Sequence, residues 1–237
     1  VVGNFFQAYK WDSMAFQTVG GMVGQVAQPV LVSVREEKER EQQVFRKMLR
    51  FTAFLSFPAL FGLALVAREF ILCTIGYEWI ECIPLLQILC ISGAFMPIYT
   101  LYQNLVISHG RSDINMWLNI GQIVLQLCII LLFYRQGITI MVIAYTVFNI
   151  LWLGAWMPSA KRIMGLRFLN AAKDIAPFML CGALVMVATY FATMAISNIY
   201  LLLVVRILMA TVLYYGVMRM LNVVILHECI QYILKKK

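Results

Sequence analysis

Charge is what this sequence has least of. Only 13% of its 237 residues are Asp, Glu, Lys or Arg, and 62% are apolar, with a mean hydropathy of +0.84. Soluble domains carry roughly 25% charged residues. A soluble domain of this length has too little interior to hide so much apolar surface. Disorder is excluded as well, because it requires low hydrophobicity and high net charge. What remains is a polytopic membrane protein. Metal-ligand spacing is also missing. The six cysteines (73, 82, 90, 128, 181 and 229) form no CxxC and read as small apolar residues. There is no internal repeat and no low-complexity tract. The first residue is Val1 rather than Met, with no signal peptide before it, so the expectation is a chain that begins partway through a longer protein.

Acidic residues are scarce: 11 Asp and Glu against 19 Lys and Arg, for a net charge of +8. In a soluble chain that balance would raise nucleic acid as a partner. Here basic loops facing the cytoplasm and anionic lipid account for it, and no nucleic-acid partner is expected.

A helix crossing the hydrocarbon core needs about 20 mostly apolar residues. Seven segments qualify on that rule: Met14–Val34, Phe51–Ala67, Ile83–Ser108, Ile114–Phe133, Ile138–Pro158, Ile175–Ile196 and Tyr200–Leu226. The first is the most polar, with Gln17, Gln25 and Gln28. Barrel strands would be shorter and would alternate apolar with polar, so the predicted fold class is all-α, a transmembrane helix bundle of about seven spans.

The loops test this division. One set of alternate loops holds fifteen basic residues: Arg35, Lys38, Arg40, Arg46, Lys47 and Arg50; Arg111; Lys161, Arg162, Arg167 and Lys173; and Arg219 with Lys235, Lys236 and Lys237. The other set holds three, Lys10, Arg68 and Arg135. Positive charge stays inside, which predicts an outward N-terminus and a cytoplasmic C-terminus. Arg35–Arg50 reads as a cytoplasmic helix continuing the second span, with acidic residues early and basic residues late. Residues 158–174 alternate basic with apolar and read as an amphipathic helix on the inner leaflet. Arg68–Ile83, with Tyr77 and Trp79 around Gly76, reads as an interfacial turn.

Polar residues at membrane depth are costly unless they face a partner or a wet cavity. The sequence places all eleven carboxylates in loops or at span ends, which leaves no material for a proton relay, a metal site or a catalytic dyad. Amides are plentiful instead. Asn115, Asn119, Gln122 and Gln126 are spaced four, three and four apart and share one helix face. That face is either a cavity wall or interhelical packing. Gln103 and Asn104 approach Asn115 and Asn119 near the predicted cytoplasmic mouth. Asn149, Gln25 and Gln28 complete the amide set, and Arg111 is either a phosphate contact or a positive-inside anchor. Amides suit sugar hydroxyls, and a cation suits phosphate. Arg206 is predicted to snorkel to the outer surface, and His227 to sit at the inner interface. Pro29, Pro58 and Pro97 predict bent helices.

Several words occur in an order that resembles a known family. They are Val2-Gly3-Asn4-Phe5-Phe6-Gln7-Ala8-Tyr9-Lys10-Trp11, Gly24-Gln25-Val26-Ala27-Gln28-Pro29, Phe45-Arg46-Lys47-Met48-Leu49-Arg50-Phe51, Phe57-Pro58-Ala59-Leu60-Phe61-Gly62-Leu63, Pro84-Leu85-Leu86-Gln87-Ile88-Leu89 and the stretch Pro97 to Asp113. Together they resemble the bacterial polysaccharide (O-antigen type) flippases, the polysaccharide transporter branch of the multidrug/oligosaccharidyl-lipid/polysaccharide exporter superfamily. The resemblance covers most of residues 1–170 and fades beyond. It implies the C-terminal lobe of a 14-span transporter: residues 1–170 as spans eight to twelve, and 171–237 as two additional helices with a basic cytoplasmic tail. It implies movement of undecaprenyl-diphosphate-linked oligosaccharide (O-antigen, capsule or exopolysaccharide units) across the plasma membrane by alternating access. Its implied partners are that lipid-linked saccharide, membrane lipid, other polysaccharide assembly proteins and the N-terminal half of the same transporter. No cofactor, metal or catalytic residue is implied. The family's cavity is rich in Arg and Lys, whereas the spans here show little of that beyond Arg206. Other readings are a drug or cation exporter of the same superfamily, a membrane-embedded polysaccharide polymerase or glycosyltransferase, and a non-transporting structural membrane fragment.

Overall fold

The computed structural model describes residues 2–221. The end of the last predicted span, His227, Cys229 and Lys235 to Lys237 lie outside the described residues. Eight helices make up the bundle, with no strand among the described residues: α1 (Val2–Val34), α2 (Lys38–Thr74), α3 (Cys82–Gly93), α4 (Met96–Ser108), α5 (Ser112–Phe133), α6 (Ile138–Met164), α7 (Phe168–Ala192) and α8 (Ile199–Met220). Neighbouring helices in the chain pack together at α1–α2, α2–α3, α5–α6 and α7–α8, while α3 and α4 continue as one broken span. The all-α helix bundle expected from composition is the fold.

Among the described residues, six segments are long and apolar enough to cross a membrane: α2, α3 with α4, α5 continued to Gln136, α6, α7 and α8. The predicted first span lies within α1. Met14–Val34 is helical, but α1 does not reach the same apolarity, since it carries Asp12, Gln17, Gln25 and Gln28. It packs on α3 and α4 instead of standing in lipid on all sides. The amphipathic surface helix predicted over 158–174 is also absent. α6 runs on through Pro158 to Met164, and α7 begins at Phe168. Gly165, at φ 74°, caps α6 in the left-handed conformation, and its N–H reaches the Lys161 carbonyl. The predicted continuation of the second span is present: α2 is one helix of 37 residues. At 1.5 Å per residue it is about 55 Å long, well beyond a core of about 30 Å.

Pro29 and Pro58 lie inside unbroken helices, whereas the third span is broken just before Pro97. The cause is local. Proline has no N–H to offer one turn back, and the Ile98 N–H turns to the Phe95 carbonyl. The Ala94 carbonyl then lacks its helical partner, and the buried Ser56 hydroxyl of α2 donates to it at 2.6 Å.

The core lies where α1, α2, α3 and α4 meet, with Phe45, Phe57, Leu86 and Tyr102 fully buried. α7 and α8 pack together against α2. α5 is different: none of its residues is buried. Its Ile123, Leu127, Leu131 and Leu132 face outward, as suits a helix in lipid. Of the cysteines, Cys82 and Cys90 are buried and Cys128 is exposed.

Candidate functional site

Glycine lets α1 approach α4 closely. A Cβ on Gly20 would lie 3.4 Å from the Thr100 hydroxyl, and one on Gly24 would lie 3.6 Å from the Asn104 amide. Beside this contact runs an open groove of about 600 Å³ between α1, α4 and α5, within the range of small-molecule sites. One wall is α1, with Phe16, Gln17, Gly21, Gln25 and Gln28. The other carries Tyr99, Thr100, Gln103 and Asn104 of α4, with Gln122 of α5 at the side. No Asp, Glu, Lys or Arg lines it.

Five of the ten sequence-predicted residues therefore share the groove: Gln25, Gln28, Gln103, Asn104 and Gln122. Four others, Asn115, Asn119, Gln126 and Asn149, fall into two separate hydrogen-bonded groups. Gln103 donates to Asn119 at 3.4 Å, and Asn119 donates to the Asn115 side chain and carbonyl. Gln122 and Gln126 both donate to Asn149 Oδ1 at 3.1 Å, and Asn149 donates to the Tyr145 carbonyl. The amide face of α5 thus bonds to its neighbours and, through Gln122, also borders the groove. Arg111 is exposed at the turn between α4 and α5 and is not among the lining residues. Gln17, Gln25, Gln28 and Asn104 have no hydrogen-bond partner among the described residues. Their donors and acceptors are available to a ligand. Gln17, Tyr99 and Gly21 were not among the predicted site residues. The four-residue steps from Gln17 to Gly21 to Gln25 are the signal that could have found the first and last.

Carboxylates inside the bundle are the main correction to the sequence reading. Asp12 is 3% exposed, with Oδ1 unpartnered among the described residues and Cys90 as its hydrogen-bonding neighbour. It fits only because Gly93 faces it: a Cβ there would fall 2.2 Å from Oδ1. Glu69 and Arg206 are both buried and lie 2.9 Å apart. Arg206 also donates to Thr193 and to the Leu65 carbonyl, and its guanidinium lies over the Tyr190 ring. It does not snorkel outward, because a carboxylate and a carbonyl on α2 satisfy it in place. Glu41 is fully buried against His109 at 2.7 Å, and Asp174 holds Arg46 through two hydrogen bonds. No group of three or more metal-ligating side chains occurs among the described residues.

Comparison with known proteins places these features in context. Residues 1–84 match the family described as polysaccharide biosynthesis protein. A Klebsiella pneumoniae protein named "Uncharacterized membrane protein in cps region" is 28% identical over 107 residues, 45% of this chain and 22% of the relative. The Escherichia coli lipopolysaccharide biosynthesis protein WzxC is 27% identical over 51% of this chain and 24% of its own length. The Bacillus subtilis teichuronic acid biosynthesis protein TuaB is 26% identical over 52% of this chain and 26% of its own length. The matched stretch spans about a quarter of each relative. No solved structure matches. With six apolar helices among the described residues and these relatives, the chain is a multi-pass membrane protein similar to bacterial polysaccharide biosynthesis proteins, with residues 1–84 matching the family model.

Proposed function

We propose that this chain forms one lobe of a flippase that moves an undecaprenyl-diphosphate-linked oligosaccharide across the bacterial plasma membrane by alternating access. The observation that carries this reading is the uncharged groove between α1, α4 and α5, whose amides on Gln17, Gln25, Gln28 and Asn104 have no bonds of their own. Asparagine and glutamine each donate and accept, as sugar hydroxyls do. The lipid tail stays in the bilayer while the polar head passes through the groove, so no bond is made or broken. In the exporter folds that this geometry suits, sites lie between two lobes that rock against each other. The substrate, a second lobe, other assembly proteins and a cytoplasmic C-terminus all belong to this proposal. So does the division at residue 170, with α7 and α8 as an added pair.

The test is made in cells that carry the complete gene. Replacing both Gln25 and Gln28 with Leu is expected to lower surface polysaccharide severalfold and to trap lipid-linked oligosaccharide on the inner leaflet, at unchanged protein level. Unaltered surface polysaccharide would overturn the reading.

A further inference from the structure

The geometry points to a second binding site: a cleft between α2, α3, α7 and α8 that holds one acyl chain of an anionic glycerophospholipid, with the lipid phosphate on Arg68. The inference is independent of the saccharide reading, since this cleft and the groove between α1, α4 and α5 share no residue.

The first observation is the apolar space itself, about 1090 Å³ in volume. It follows α2 from Phe61 to Glu69, about 12 Å at 1.5 Å per residue. Leu65, Ile91, Met186, Val187 and Phe191 build much of its wall. Ile91, Val187 and Phe191 are exposed, so no described part of the chain covers them. Water finds few partners along such a wall. In a bilayer the filler at hand is a hydrocarbon chain.

The second observation is charge. Arg68 lines the cleft, is exposed, and has no partner among the described residues. Glu69 and Arg206 line it too, but they lie 2.9 Å apart and neutralise each other. Gln87 is already engaged, donating to the Ala64 carbonyl. One uncompensated positive charge is left, at Arg68. Its guanidinium fork matches the oxygens of a phosphate, and a phosphodiester brings one negative charge to meet it. A zwitterionic lipid would add an ammonium, for which no unpaired carboxylate lines the cleft.

The third observation is level. The cleft lies at the end of the bundle where α2 stops, α3 starts and α7 turns into α8. Tyr77 and Trp79 sit in the link from α2 to α3, and such aromatics favour the depth of lipid headgroups. Arg68 is therefore level with lipid phosphates, while Phe61 lies deeper along the same helix. A diffuse basic surface does not explain Arg68, because the loops counted for that side add only Lys10 and Arg135.

The experiment uses the full chain in mild detergent, with native mass spectrometry counting bound lipids. The probes are dioleoylphosphatidylglycerol, dioleoylphosphatidylcholine with the same chains and no net charge, glycerol 3-phosphate with a head and no chain, and undecaprenyl phosphate. Expected is one phosphatidylglycerol per chain, bound at least about tenfold more tightly than phosphatidylcholine, or about 1.4 kcal/mol, and no binding of glycerol 3-phosphate. Arg68→Gln is expected to reduce phosphatidylglycerol to the level of phosphatidylcholine, and Arg68→Lys to keep much of the preference. Val187→Trp and Ile91→Trp, on two different exposed walls, are each expected to weaken both phospholipids severalfold with unchanged circular dichroism. An undiminished preference in Arg68→Gln would overturn the headgroup contact. Parent-like binding in either folded Trp variant would overturn the placement of the chain. Equal binding of glycerol 3-phosphate would reduce the site to a bare phosphate contact and overturn the inference. Tighter binding of undecaprenyl phosphate, lost in the same variants, would hand the cleft to a polyprenyl lipid and overturn it as well.

Discussion

Asn149 is one residue on which three helices converge. Its Oδ1 accepts from Gln122 and Gln126 of α5, its Nδ2 donates to Tyr145 within α6, and its carbonyl accepts from the Tyr99 hydroxyl of α4. Interhelical hydrogen bonds in membranes are worth about 0.6–2 kcal/mol each. Asn149→Leu removes two of them and should lower stability by about 1–3 kcal/mol, read as an earlier midpoint in a detergent-unfolding titration. An unchanged midpoint would mean that the amides find other partners. Glu69 and Arg206 set a larger stake. Removing one member of a buried pair leaves the other charge unsatisfied, at about 3–5 kcal/mol. Arg206→Leu is therefore expected to unfold far earlier than the double variant Glu69→Gln with Arg206→Leu, and equal loss in both would refute the pairing. Neither pair was legible from the sequence alone. Spacing within a helix shows which residues share a face, but not which face of another helix lies opposite. A lone Arg206 near a span end looked like a snorkelling cation because Glu69 is far away in the chain. Asp12 was equally hidden, since nothing in its own neighbourhood signals Gly93.

The elements were far more legible, because apolar run length and helical period are local properties. Seven predicted spans correspond to seven helical stretches, and the charged prelude to the second span proved continuous with it. The errors arose at prolines and at mixed sequence. Pro158 did not end α6, since the segment after it still buries Ser159, Ala160 and Ile163. Pro97 did mark a break, and two neighbouring helices support it. On one side Ser56 satisfies the Ala94 carbonyl, and Ser56→Ala should cost about 1–3 kcal/mol by leaving that acceptor bare. On the other side Asp12 presses against Gly93. Gly93→Ala should destabilise by about 1–3 kcal/mol through overpacking, and much of that loss should vanish in an Asp12→Ala background. A double-mutant cycle measures the coupling, and strict additivity would show that the two residues do not meet. The groove was only half legible. Sequence supplied its amides, but the width between α1 and α4 depends on three glycines whose directions appear only in three dimensions.

At the scale of the whole molecule, the alternation of basic loops gives a topology that can be read chemically. Single cysteines introduced at Gly165 and Gly137, in a chain otherwise freed of cysteine, lie at opposite ends of α6. A membrane-impermeant thiol reagent applied to intact cells should label position 137 and spare position 165. The reverse pattern would invert the proposed orientation. The same alternation explains why composition spoke clearly about the membrane and faintly about cargo: a bilayer constrains every residue of a span, whereas a passage constrains only the few that border it.

α5 has no buried residue, and the side it turns inward carries amides. An apolar seam has to be wetted to come apart, but an amide seam can swap each bond for one to water or to a hydroxyl. Under the proposed function, a sugar arriving beside Gln122 would offer α5 replacements for the bonds it makes to Asn149.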